Sequence, residues 1–229
     1  MKLALAVVCL ALLASFVFAR PVLLIVDASG SMTDNIKDAS GNDITKIDAA
    51  KQAGATIINS ATDEIALMAY FDCSDIQVLV PFTTNKQSLL TALNGLTPDS
   101  STPIATALQQ GAAYVSTNRP GAGIVLLTDG EETCGGDPEA AATAAHAGGV
   151  SVINVVGLTL SSSGDQGMTN VAAAGGGNYY PASNTQGLQQ SLQQAYQGSS
   201  GGSTGGFCCP LFALLPLALV AGVGAKYAA

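Results

Sequence analysis

Asp27, Ser29 and Ser31 place one carboxylate and two hydroxyls within five positions, in the run Val26-Asp27-Ala28-Ser29-Gly30-Ser31-Met32. Hard oxygen donors spaced this closely suit a small hard cation such as Mg²⁺ or Mn²⁺, and not a soft metal. The same residue types also build Asx-turns and helix N-caps, which stop a strand and start a helix without binding anything. The run follows Val22-Leu23-Leu24-Ile25-Val26, an unbroken apolar stretch that reads as a strand buried on both faces of a parallel sheet. In either role, the oxygens stand at that strand's C-terminal end.

Two further segments bear on the choice. Thr102 precedes Pro103 at a plausible helix start. Asp129 ends the second buried-strand run, Ile124-Val125-Leu126-Leu127-Thr128-Asp129, and is followed by Gly130. Together the three segments resemble the von Willebrand factor type A domain and its metal-ion-dependent adhesion site. In that family an Asp-x-Ser-x-Ser motif, a lone Thr and a lone Asp come from three separate loops. By motif they correspond here to Asp27, Ser29, Ser31, Thr102 and Asp129. The resemblance covers residues 21–197. It implies that the serines and sometimes the threonine bind Mg²⁺ or Mn²⁺ directly, while the aspartates often act through water. It also implies a protein ligand that supplies an Asp or Glu to complete the cation's shell.

The elements needed to position these residues alternate along the chain. Strands are predicted at 22–26, 64–71, 76–81, 123–128, 151–156 and 178–181. Helical patterns fall at 44–60, 86–93, 103–116, 138–147, 166–174 and 185–197. Only the connection through Cys73-Ser74-Asp75 is too short for a crossover, so the third strand is an antiparallel edge. The remaining connections demand right-handed βαβ units. The fold class is therefore α/β: a doubly wound, mostly parallel six-stranded sheet with one antiparallel edge strand and helices on both faces. The resemblance implies the strand order 3-2-1-4-5-6, in a Rossmann-like arrangement. Ligands of such sheets bind at the carboxyl ends of the strands, where Asp27 and Asp129 both lie. A sheet covered on both faces also accounts for a chain that is 48% hydrophobic.

The ends read differently. Residues 1–19 have the charged start, apolar core and Val17-Phe18-Ala19 exit of a secretory signal peptide. The folded domain is expected over 20–197 and a Gly/Ser linker over 198–206. Residues 207–225 form a C-terminal transmembrane or processed anchor segment, uncharged from 207 to 224 and followed by Lys226. A polar spacer before an apolar tail also matches a GPI-attachment signal. The expected location is across the membrane, anchored at the cell surface or periplasmic face.

Eight basic residues against sixteen acidic ones, a formal net charge of −8, give no nucleic-acid footprint. Of five cysteines, Cys9 lies in the signal segment and Cys208 and Cys209 in the tail, leaving Cys73 and Cys134 in the domain. In an oxidising compartment such a pair reads as a disulfide, and two free buried thiols are the alternative. In the implied strand order the bond would bridge over the first strand, beside the metal loops. Glu131 and Glu132 read as solvated loop acids. Asp34, Asn35, Asp38, Asn42 and Asp43 form a polar loop without EF-hand spacing. Gly198-Ser199-Ser200-Gly201-Gly202 matches the G-x-S-x-G pattern without the strand and elbow that give it meaning. His146, the single histidine, reads as an exposed helix residue and excludes an H-E-x-x-H zinc site. No catalytic role is expected. The reading is a membrane-tethered extracytoplasmic module that binds a protein partner through a divalent cation. Its alternative is a scaffold subunit of a cell-envelope complex with a purely structural metal.

Overall fold

The apolar runs become strands of one sheet because each is buried on both sides. In the computed structural model, which describes residues 20–201, every residue of β1 (Val22–Asp27), β4 (Ile65–Tyr70), β6 (Gly123–Thr128) and β7 (Ile153–Leu158) is buried. The edge strands β5 (Ile76–Thr83) and β8 (Tyr179–Ala182) are only partly covered. The sheet order is β5-β4-β1-β6-β7-β8. Only β4 and β5 pair antiparallel; the other neighbours are parallel. The doubly wound α/β architecture and the position of the first strand at its centre are therefore as expected.

Alternate side chains of the central strands feed two cores. Val22, Leu24 and Val26 pack with α1 (Lys46–Ser60), α2 (Lys86–Asn94) and α6 (Thr185–Ser200) on one face. Leu23 and Ile25 pack with α3 (Ile104–Asn118), α4 (Pro138–Ala147) and α5 (Ser162–Ala174) on the other. Thr45, Asn85, Asp137, Ser161 and Asn184 each cap a helix by accepting the backbone N–H three residues on. Each such cap contributes about 1 kcal/mol.

Three local expectations are corrected. The polar segment 34–43 is not simply a solvated loop, and the first helix begins at Lys46, not at 44. A hairpin of β2 (Asn35–Lys37) and β3 (Asp43–Thr45) precedes that helix. It forms because Ile36 is buried and Asp38 Oδ1 accepts the N–H groups of Ser40 and Asn42 at its tip. Helix α5 starts at Ser162, four residues before the expected 166, because the Ser161 cap outweighs the low helix propensity of Gly164.

The third correction concerns the domain's C-terminal limit. Residues 198–200 read as the start of a linker, yet α6 continues through Ser200. Asn154 Nδ2 donates to Ser199 Oγ at 3.0 Å, and Ser199 Oγ donates to the Ile124 carbonyl at 3.3 Å. A Cβ at Gly123 would lie 2.9 Å from Ser199 Cβ, so small residues here permit close approach and do not signal a free chain. The rest of the expected linker, the signal segment and the anchor segment lie outside the described residues. Among the described residues no helix is long and apolar enough to cross a membrane.

Cys73 and Cys134 form a disulfide, with Cα atoms 5.5 Å apart and a sequence separation of 61. Replacing both cysteines by serine should lower stability by about 4 kcal/mol on loop-closure entropy. Urea unfolding of wild type and double variant under non-reducing conditions measures it. A chain ending at 197 should unfold at a lower temperature than one ending at 201. The loss should be roughly 1–3 kcal/mol, because Asn154 Nδ2 loses its bond to Ser199 Oγ while keeping the one to the Ala195 carbonyl.

Candidate metal centre

Strand register sets the first carboxylate. Asp27, the last residue of β1, lies opposite Tyr70 at the end of β4, and Val26 lies opposite Leu127 of β6. Tyr70, Asp27 and Thr128 thus end three adjacent parallel strands. Tyr70 OH and Thr128 Oγ1 each donate to Asp27 Oδ2 at 2.8 Å, and the Ser29 N–H donates to Oδ1 at 2.8 Å. Asp27 is fully buried. That burial, and next the charge of Asp129, raises the Asp27 pKa above the ordinary carboxyl value, while the bonds from Ser29 and Tyr70 pull it part of the way back.

The loops then bring in the other oxygens. After β1 the chain makes a 3₁₀ turn, Gly30–Thr33, pinned by buried Met32. Ser29 Oγ and Ser31 Oγ lie 3.2 Å apart, and Ser31 Oγ donates to Asp129 Oδ1 at 2.7 Å. The segment leading to Thr102 is held by backbone bonds from Asp99 N–H to the Ala28 carbonyl and from Ser100 N–H to the Phe71 carbonyl, both 2.9 Å. Thr102 itself exchanges bonds with Thr133: its N–H donates to Thr133 Oγ1 at 2.8 Å, and its carbonyl accepts the Thr133 N–H at 3.1 Å. Gly30 makes the approach feasible. A Cβ at Gly30 would lie 2.8 Å from the Asp99 carbonyl oxygen. One at Gly130 would lie 3.5 Å from Thr102 Oγ1 and 3.9 Å from Ser31 Oγ. Both hydroxyls therefore border the same space beside Gly130. All five expected residues meet at the carboxyl edge of the sheet.

Other acids are absorbed by structure. Glu132 accepts the N–H groups of Ala105 and Cys134, both at 2.8 Å, and so ties the start of α3 to the loop after β6. Glu131 accepts the hydroxyls of Ser161 and Ser163. Glu132 is not the freely solvated loop acid that sequence suggests, whereas Glu131 is exposed, as expected. His146 is exposed, as expected, with Nδ1 3.1 Å from the Val150 carbonyl.

One residue of the centre was missed. Lys46 Nζ donates to Asp129 Oδ2 at 2.8 Å and to Asp34 Oδ2 at 3.3 Å. Its side chain is 10% exposed and that of Asp129 is 0% exposed. Burial pulls the Lys46 pKa down, but the bond and charge of Asp129, then those of Asp34, more than offset this and hold the ammonium above its ordinary value. The sequence does carry a signal. Thr45 caps the helix, which places a lysine at its first position, where the helix dipole disfavours positive charge. Tyr70 and Thr128 were also passed over, since each simply ends a buried-strand run.

The donor set is entirely hard oxygen: two carboxylates and three hydroxyls. Among the described residues no group of three or more His, Cys, Asp or Glu side chains is gathered for a metal. The neutral hydroxyls of Ser29, Ser31 and Thr102 are thus the remaining donors to complete any set. Asp129 already attracts a cation, the Lys46 ammonium, which stands in for positive charge at this position. These residues fit a small hard divalent ion such as Mg²⁺ or Mn²⁺, whose charge two carboxylates balance.

Comparison with known proteins agrees with this architecture. A protein-family model described as von Willebrand factor type A domain matches residues 22–132. The chain is 32% identical over 182 residues to YwmC of Bacillus subtilis (strain 168), a protein described as uncharacterized, covering 74% of this chain and 79% of YwmC. Among solved structures, an aerotolerance-related membrane protein from Bacteroides fragilis NCTC 9343 superposes with a TM-score of 0.61 at 20% identity, over 78% of this chain and 98% of that one. Proximal thread matrix protein 1 from the mussel byssus, solved with a zinc-occupied MIDAS motif, gives 0.62 at 17% identity, over 77% of this chain and 44% of that one.

Tyr70→Phe should test how strongly the sheet supports the buried carboxylate. Removing a hydrogen bond to a charged group that stays buried costs about 2 kcal/mol. Denaturant unfolding in EDTA is the measurement, and a loss under 0.5 kcal/mol, below the range of an ordinary hydrogen bond, would contradict the role given to Tyr70.

Proposed function

Because this chain belongs to the von Willebrand factor type A domain family, we propose that it is a binding module, not an enzyme, that engages a protein partner through Mg²⁺ or Mn²⁺. Asp27, Ser29, Ser31, Thr102 and Asp129 would hold the ion. The observation that carries the proposal is their convergence from three loops, with Ser31 Oγ on Asp129 Oδ1 and the Thr102 and Ser31 hydroxyls beside the space over Gly130. When bound, the ion supplies an electrophilic centre that accepts an Asp or Glu carboxylate from the partner.

The residues of the chain divide the work. Asp27 fixes the first loop through its bond to the Ser29 N–H and carries part of the balancing charge. Ser29 and Ser31 present neutral oxygens, so the ion, formally balanced by Asp27 and Asp129, would stay electrophilic toward an acidic ligand. Thr102 comes from a segment tied to the loops after β1, β4 and β6, so its position reports on all three. The mussel neighbour, with zinc at the corresponding motif, supports a divalent ion in this fold. The membrane protein of B. fragilis supports an envelope setting. We place the domain outside the cytoplasm, behind a signal segment at 1–19 and held by the anchor segment at 207–225.

A second reading is favoured by two features: the Lys46 ammonium already balances Asp129, and the disulfide already braces the loops. In that reading the chain is a scaffold of an envelope complex and its metal is structural. Pull-down from solubilised envelopes with and without EDTA separates the two, since scaffolding should survive chelation.

Mg²⁺ or Mn²⁺ should stabilise the fold with the logarithm of its excess over Kd, by about 2.7 kcal/mol at a hundredfold excess, and so raise the melting temperature, because the unfolded chain cannot gather three distant segments. Asp27→Ala should abolish that gain. Thr102→Ala should weaken partner capture more than cation affinity. Thermal unfolding and calorimetry at millimolar cation provide the measurement, and a wild type without any response removes the adhesion reading.

A further inference from the structure

We infer that Lys46 is a built-in counter-cation of the centre, which a divalent ion must displace from Asp129, and that Asp34 receives it and passes the displacement to the β2–β3 hairpin. The inference rests on the cation-site reading above.

Each oxygen of Asp129 already has a donor: Oδ1 takes the Ser31 hydroxyl and Oδ2 takes the Lys46 ammonium. A divalent ion held by Asp129 and Ser31 would share a single carboxylate with that ammonium. Two cations on one buried carboxylate repel across a short distance in a poorly screened setting. The ammonium has somewhere to go. Asp34 Oδ2 is already 3.3 Å from Nζ, and the Asp34 side chain is 66% exposed, so a modest turn of the flexible lysine stem moves the charge toward solvent.

The hairpin is tied to the same two residues. Asp34 immediately precedes β2 and Lys46 immediately follows β3. The Lys46 N–H donates to the Asp34 carbonyl at 2.8 Å and closes the hairpin's base. Apart from that base and the packing of Ile36 and Ile44 on the core, the hairpin is held by its own strand pairing and turn, through Asp38, and by the exposed Lys37–Asp43 pair. A shift of Lys46 is therefore felt first at the hairpin, beside the entrance to the centre. Lys46 neutralises Asp129 even though positive charge at the first position of α1, the helix capped by Thr45, opposes the helix dipole.

The test is calorimetric titration with Mg²⁺ and with Mn²⁺ of the folded domain as wild type, Lys46→Met, Lys46→Gln and Asp34→Asn, at one pH and ionic strength. Circular dichroism in EDTA verifies folding, and Lys46→Gln serves where the methionine variant does not fold. Removing the lysine charge should tighten cation binding by about tenfold or more. The same variants should melt lower than wild type in EDTA, with Asp129 left uncompensated, and should recover when the cation is added. Asp34→Asn should weaken cation binding, because the displaced ammonium loses its anionic partner. Hydrogen exchange across 35–45 should change on cation addition in wild type and not in the lysine variants. Equal or weaker cation affinity in the lysine variants overturns the inference and leaves the cation site standing. Unchanged exchange in wild type overturns the coupling to the hairpin. Absence of cation binding in wild type and lysine variants alike overturns both the inference and the reading it rests on.

Discussion

A carboxylate buried at the centre of the sheet is the constraint around which this molecule is arranged. Asp27 has no exposed surface and ends the strand with neighbours on both sides. An isolated charge in such a place is untenable, so its lone pairs must meet donors supplied by the fold. They come from the ends of the flanking strands, as Tyr70 and Thr128, and from the turn that follows, as the Ser29 N–H. Strand lengths, register and the tight turn after β1 are in this sense one solution to one electrostatic problem. The hydroxyls and the second carboxylate then have little freedom in where they stand.

Much of this was legible in the chain. Residues 22–26 and 123–128 are so uniformly apolar that only strands covered on both faces accommodate them, and Asp27 and Asp129 mark where those strands must stop. Strand order was another matter. It follows from which helices pack on which face, and nothing in a local window of sequence encodes that; it came from the family resemblance alone. Segment 198–200 misled for a related reason. Gly198, Ser199 and Ser200 have the composition of a flexible chain, but here small size serves contact with Gly123 and Asn154, and composition cannot distinguish the two uses.

Lys46 shows a different limit. Its partner Asp129 lies 83 residues away, and no periodicity links them. What was readable was a conflict: a cation placed where the helix dipole repels it. Conflicts between local preference and global arrangement concentrate where a protein does something other than fold. The buried ion pair is of that kind, because replacing such pairs with apolar residues is often neutral or stabilising. Its place at the rim of the centre follows from the charge balance there, where Asp129 is buried against the ammonium.

The two ends of the described chain meet. Arg20 N–H donates to the Ser200 carbonyl at 2.8 Å, beside the first residues of β1 and β6. Asp27 closes the far end of β1, roughly 17 Å away at the usual rise per residue of a strand. This gives the domain a mechanical polarity. Traction between the two termini would load only the contact of α6 with the start of the sheet, and the carboxyl edge would stand outside the line of force. Traction between the carboxyl edge and either terminus would run along the strand axes, with the ladders of β4, β1 and β6 strained in shear together. A sheet loaded that way yields all at once.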